Sequence, residues 1–310
     1  MIIYPWLWAV FTVIAAFAQT VRNAMQRELT ASLGTVGATH VRFLFGFPFA
    51  VVFLAGVLAA TGVPLPHPRW SFWPWVIDGA LAQIAATALM LVAMGERSFV
   101  VTIAYIKTEP IQVAVFGLVF LGDRVTWPMM SAILIATAGV LIMSTGSRPT
   151  LAGKRGEQGC GIFGGIRPPL IGLASGGMFA LSAIGFRGAI LSLELPNYVM
   201  AATFTLVVGI VMQAMLLSLY LWLRNPSALL AIARAWKPSL FAGFAGAVAS
   251  QFWFLGFALA TAANVRTLAL VEVLFAQLIA RFAFGQKTTA REAAGMVLVV
   301  CGVGLLLWAY

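Results

Sequence analysis

The chain has 310 residues, 62% of them hydrophobic and only 9% charged, with 19 basic side chains against 9 acidic ones and a formal net charge of +10. A soluble domain carries roughly 25% charged residues, so the composition excludes an ordinary water-soluble protein and points to a lipid bilayer. The basic excess lies at the ends of apolar segments and in one central stretch, where it orients spans and meets headgroups, and no soluble basic domain exists to bind nucleic acid.

Apolar windows of about 20 residues, the length that crosses a bilayer, can be drawn ten times. In chain order they are Trp6–Met25, Thr35–Ala60, Phe72–Met94, Val100–Leu121, Trp127–Ser144, Pro169–Leu191, Tyr198–Leu223, Leu240–Ala262, Val265–Phe284 and Ala293–Ala309. The first window lacks the basic start and small-residue cleavage site of a signal peptide and is too long for one, so it is expected to remain as a span. Trp6, Trp8, Trp70, Trp73, Trp75 and Trp308 fall near segment ends, as an interfacial belt would. Residues 147–168, rich in glycine and carrying Lys154 and Arg155, read as a basic linker between a first half, 1–146, and a second half, 169–310. Cys160 and Cys301 have no paired cysteine motif or neighbouring histidine, and His40 and His67 stand alone, so packing cysteines and no metal or other cofactor are expected.

Laying the second half on the first with an offset of 163 residues superposes Glu109 on Glu272, Gly122 on Gly285, Thr126 on Thr289, Gly139 on Gly302 and Val140 on Val303. A two-residue shift also pairs Arg22 with Arg187. Each half holds five spans, an odd number, so the second half enters the membrane from the opposite side. The expected fold is therefore all-α and polytopic, with ten transmembrane helices as two inverted five-helix repeats. In secondary transporters of that build the binding site lies near the midplane between the repeats.

The candidate site residues are the polar groups that interrupt apolar spans, since an ionisable side chain in a span is costly and usually functional. In the fourth window, Tyr105, Lys107, Glu109 and Gln112 are dense for mid-membrane sequence, and Tyr105, Glu109 and Gln112 share one helical face. Pro110 removes a backbone hydrogen bond and leaves the Ile106 carbonyl free for a ligand or water. Glu272 is the matching acid of the ninth window, with Arg266 earlier on the same helix; its structural alternative is an ion pair with Lys107 or Arg42. Arg42 and Asp78 can equally snorkel to the interface. Gln83 and Thr87 in the third window, and Ser250 and Gln251 in the eighth, fall close together under the same offset and are candidate lining groups or interhelical hydrogen bonds. Trp253, among Phe252, Phe254 and Phe257, offers either a cavity wall or ordinary packing.

Pro110, the run Phe120-Leu121-Gly122-Asp123-Arg124, and Gly139-Val140 resemble the repeated signature of the drug/metabolite transporter superfamily, in particular its ten-helix EamA-type members. Gly285, Gly295, Gly302 and Val303 resemble the second copy, and Arg42 matches a basic position common near the start of the second helix. The chain departs from the pattern where Gln286 follows glycine in the second copy, and where Val273 stands in place of a proline. The resemblance implies cytoplasmic termini. The charge distribution implies the reverse, because connections after odd-numbered spans hold most of the Lys and Arg.

These readings converge on a secondary transporter of a small metabolite. The resemblance implies export of amino acids or related zwitterions, and Lys107 beside Glu109 offers both signs of charge. Alternating access would centre on Glu109, Glu272 and Lys107, and a buried carboxylate that takes up a proton as substrate leaves would couple flux to a proton gradient. Export of organic cations or drugs, metabolite uptake and lipid flipping remain the alternatives. An enzyme is not expected, since no HExxH, serine elbow or grouped His/Asp occurs in the spans. The expected partners are a small-molecule substrate, the lipid bilayer of a bacterial plasma (inner) membrane, and protons as the candidate coupling ion, with the chain as monomer or homodimer.

Overall fold

The computed structural model describes residues 5–96, 105–144, 167–284 and 288–310. An apolar segment that must satisfy its own backbone without water has the helix as its open-chain solution, and the described residues form helices and turns with no strand among them. The chain is an all-helical polytopic membrane protein. Helix α1, Leu7–Leu44, is two helices joined at Gly34, whose φ of +69° reverses the chain in a conformation that side chains disfavour. The first span therefore continues well past Met25, the end read from hydropathy. Helix α2, Phe47–Thr61, completes the second span and is capped by Gly62 at φ +64°. Helix α3 is Phe72–Glu96.

The fourth span breaks at Lys107 and Thr108. It resumes as α4, Glu109–Phe116, and ends in a π turn over Gly117–Leu121 that Gly122 closes at φ +67°. Helix α5 is Trp127–Ser144. The second half holds α6 (Arg167–Ser192), α7 (Tyr198–Arg224), a short amphipathic α8 (Pro226–Arg234) that hydropathy windows passed over, and α9 (Trp236–Leu259). The ninth span is broken like the fourth: α10 (Ala262–Leu268) passes through a 3-10 turn at Ala269–Val271 into α11 (Glu272–Phe284). Helix α12 is Ala290–Ala309. Glu28–Thr61, Phe72–Ala93, Leu170–Ser192, Tyr198–Arg224, Trp236–Leu259 and Ala290–Ala309 are each long and apolar enough to cross a membrane, while Glu109–Leu121 and Trp127–Met143 are shorter apolar helices.

The packing maps onto itself when the halves are exchanged. The most extensive interfaces are α3 with α6, α1 with α9, and α5 with α12. Exchange turns the first into the second and leaves the third unchanged. It also leaves α2 on α7 and α4 against α10 unchanged, and both pairs are in contact. This is the pattern of two inverted five-helix repeats.

Several identities between the halves have local causes. Thr126 and Thr289 are the N-caps of α5 and α12: the Met129 amide donates to Thr126 Oγ1 at 3.4 Å, and Thr289 forms a reciprocal capping box with Glu292. Gly139 and Gly302 lie where α5 crosses α12. A Cβ at Gly139 would stand 2.7 Å from the Gly295 carbonyl oxygen, and one at Gly302 would stand 2.7 Å from the Ala136 amide nitrogen. Small residues let helix backbones approach this closely in lipid.

Trp6, Trp70, Trp73 and Trp308 are exposed at helix ends as a belt requires. Trp8 is not part of it, being 1% exposed and tilted against the Tyr310 ring with centroids 4.8 Å apart. Cys301 is an exposed free thiol rather than a packing residue, and Cys160 lies outside the described residues.

Candidate functional site

Glu109 and Glu272 each stand first in the helix that follows a break, at the start of α4 and α11. A helix N-terminus presents free amides and a positive dipole end, which favours a carboxylate there. The breaks bring together two acids and two bases, one of each per span. Lys107 Nζ donates to Glu272 Oε2 at 2.5 Å, and Arg266 Nε lies 3.1 Å from Glu109 Oε1, so the fourth and ninth spans are tied by crossed ion pairs. All four side chains are buried.

The acids are equivalent in sequence and unequal in surroundings. Glu272 also accepts from Gln19 Nε2 at 3.3 Å and from Asn23 Nδ2 at 3.4 Å, both on α1. Gln19 is held in turn by the Trp253 indole N–H at 2.9 Å. Among the described residues Glu109 has Arg266 alone as an ion-pair partner, and their close atoms are too poorly aligned for a hydrogen bond. The Arg266 guanidinium lies over the Trp253 ring at 4.5 Å and the Phe257 ring at 5.4 Å, a cation–π seat that fixes it from α9. Arg22 lies beside this network, donating from Nη2 to Asn23 Oδ1 at 2.6 Å. Met90, Ile106 and Phe179 close the space, which is about 10 Å³, roughly the room one water needs.

The remaining candidates sit around this centre or away from it. Arg42 is buried, donates to Thr87 Oγ1 at 3.1 Å, and does not reach Glu272. Tyr105 and Gln112 turn to α6: Tyr105 packs where Gly172 leaves room, and the Gln112 amide reaches the Leu173 carbonyl at 3.5 Å. The Ile106 carbonyl that Pro110 frees also faces α6, where a Cβ on Gly176 would be 3.0 Å from it. Gln83 accepts from Gln213 on α7 at 3.0 Å, and Gln251 donates to Thr203, also on α7, at 2.8 Å; both tie helices together outside the centre. Asp78 is exposed.

Gln19, Arg22 and Asn23 were not singled out in sequence as lining groups. Their signal was a polar run like that of the fourth span, hidden because the first span was ended at Met25 and the run looked terminal. Arg266 stands at the start of the ninth window, Val265–Phe284, where a basic residue reads as a helix-end charge. At the face that carries both termini, Arg187 Nη1 pairs with Asp123 Oδ1 at 3.0 Å, and its Nε donates to the Ala260 carbonyl at 3.0 Å. The Gly122-Asp123 run thus closes α4 against α6 and α9. Gln286, its counterpart, lies outside the described residues.

A larger space of about 850 Å³ lies between α2, α7 and α8, walled by Leu44, Phe47, Met215, Trp222 and other apolar groups, with Ser218 as its polar contribution. It can neither orient nor discriminate a polar solute, so the small charged centre is the better candidate despite its size.

Inverted halves whose equivalent spans both break, with charges gathered at the breaks, are the build of secondary transporters. The model of the EamA-like transporter family matches residues 6–145, nearly all of the first half. None of the curated proteins matches the chain. A solved structure described only as "Crystal structure of protein" aligns over 97% of this chain and 96% of its own at a TM-score of 0.68 and 14% identity, a likeness of fold alone.

Proposed function

We propose that this chain is a secondary transporter that exports a small metabolite, with amino acids and related compounds the first candidates, by alternating access in a bacterial plasma (inner) membrane. The halves 1–146 and 169–310, joined by 147–168, would rock about the crossed ion pairs, as monomer or homodimer. The observation that carries the reading is the pair of interrupted helices, each opening on an acid that meets a base from the other half. With room for about one water, the centre must open to admit a solute. Opening means parting Glu109 from Arg266 or Lys107 from Glu272, and the solute's charges would replace what is parted.

Glu109 is the proposed proton carrier. It is the acid with fewer partners, and a carboxylate out of water can be neutralised when its cation turns to the substrate. The lateral apolar space does not favour lipid flipping, because a headgroup needs polar contacts along its path and only Ser218 offers one. The test is flux in liposomes containing the purified protein. Amino acids should exchange across the wild type and drive proton movement, and Glu109→Gln, which keeps shape and hydrogen bonding, should lower coupled flux at least about tenfold while exchange at fixed pH is less affected. Wild-type flux indifferent to a pH gradient would sink the coupling; no exchange of any metabolite would sink transport.

A further inference from the structure

The central charges do not balance. Among the described buried side chains are four cations, Arg22, Arg42, Lys107 and Arg266, and two carboxylates, Glu109 and Glu272. Lys107 and Arg266 hold the two acids, so both signs that a zwitterion would need are already engaged within the protein. Arg22 and Arg42 have no acid within ion-pairing distance among the described residues.

Arg22 is 1% exposed and makes one hydrogen bond, to Asn23, while its Nε and Nη1 have no partner. Its side chain lines the central space. Arg42 has the Thr87 hydroxyl and the Phe43 ring, the latter at 5.2 Å from its guanidinium carbon. Both stems lie against Gly246 of α9, where a Cβ would be 3.3 Å from Arg22 Cδ and 3.5 Å from Arg42 Cγ. The glycine admits two arginines side by side. Two guanidiniums in a low-dielectric centre repel each other, and Arg22 leaves two nitrogens without an acceptor, a cost that an anion at the same place would offset with charge-assisted hydrogen bonds.

We infer that the transported solute is a carboxylate-bearing anion whose acid group is held by Arg22 with Arg42 beside it, in preference to a zwitterion or a cation. This deepens the transport reading and rests on it. A cation would enlarge the positive excess and a zwitterion would leave it unchanged, whereas each negative charge reduces it. Arg suits the task because its planar donors match a carboxylate.

The experiment uses the full chain in detergent and in liposomes with succinate, glutamate, alanine, putrescine and inorganic phosphate. Succinate and glutamate should raise the unfolding temperature and exchange across liposomes, with alanine and putrescine at least about tenfold weaker. Arg22→Gln should weaken succinate binding at least about tenfold, and should raise the unfolding temperature of the ligand-free protein because an unpaired buried charge is removed. Arg22→Lys, which keeps the charge and loses donors, should fall between. If Arg22→Gln does not fold, the wild-type ranking of the five compounds decides alone. Alanine or putrescine binding as tightly as succinate, phosphate binding without succinate, or unchanged succinate binding in a folded Arg22→Gln variant would each overturn the inference. Succinate bound but not carried leaves the anion site and ends the transport reading; alanine carried while succinate is neither bound nor carried does the reverse.

Discussion

Glu109 and Glu272 are interchangeable in the sequence and not in the structure, and the difference sets what each substitution should do. Glu272 accepts from Lys107, Gln19 and Asn23, so Glu272→Gln leaves a buried ammonium facing an amide and disturbs three hydrogen bonds. Removing one partner of a buried ion pair costs about 3–5 kcal/mol, and a drop in unfolding temperature of the purified protein should show most of it. Glu109→Gln should cost clearly less, because Arg266 keeps its seat on Trp253 and Phe257 and the lost contact was poorly aligned. Equal losses in the two variants would show that the two ion pairs hold the fold equally. The acids themselves were legible from sequence, as charges in apolar windows at one repeat spacing. The partners were not. Lys107 and Arg42 were both available to Glu272 on paper, and the choice depends on how two broken helices face each other, which no local pattern encodes.

At the scale of elements, the breaks are legible in one half and hidden in the other. Pro110 occupies the first turn of α4, where a missing amide costs nothing, and it marks the interruption of the fourth span. Val273 stands at the equivalent place, yet the ninth span also breaks, through the 3-10 turn at Ala269–Val271. Nothing in those three residues demands it; the packing of the second half on the first does. The glycines behave oppositely, since their identities between the halves were plain and only the structure shows what they touch. At Gly139 a side chain would meet backbone atoms, the Gly295 carbonyl oxygen at 2.7 Å and the Val299 amide nitrogen at 2.9 Å, and backbone cannot rotate away. Gly139→Val should therefore push α5 from α12 and destabilise the protein by about 1–3 kcal/mol or more. Gly304 faces open space, so Gly304→Ala on the same α12 helix should leave the unfolding temperature unchanged or slightly raised. Equal stability in the two variants would mean that the α5–α12 crossing contributes little.

For the whole molecule the open question is which face meets the cytoplasm, and the structure sharpens the charge count. Both termini and the turns after the second, fourth, sixth and eighth spans share one face. Of the four basic residues that the sequence puts on that face, Arg69, Arg124, Arg187 and Arg266, Arg187 is paired with Asp123 and Arg266 is buried at the centre, so neither acts as a loop charge. Arg69 and Arg124 remain, and Arg69 is matched by Glu194 at 2.8 Å. The opposite connections still carry Arg27, Arg97, Arg148, Lys154, Arg155, Arg167, Arg224, Arg234, Lys237, Lys287 and Arg291 in sequence. Arg22 leaves that side as well, being buried, but the imbalance between the faces grows. The positive-inside rule therefore predicts the linker in the cytoplasm and both termini outside, against the orientation implied by the family resemblance. The chain carries its own probe, since Cys160 belongs to the linker and the second cysteine, Cys301, can be removed as Cys301→Ala. In that background Cys160 should resist a membrane-impermeant thiol reagent in intact cells and react once the membrane is permeabilised. Rapid labelling before permeabilisation would put the linker outside and the termini in the cytoplasm.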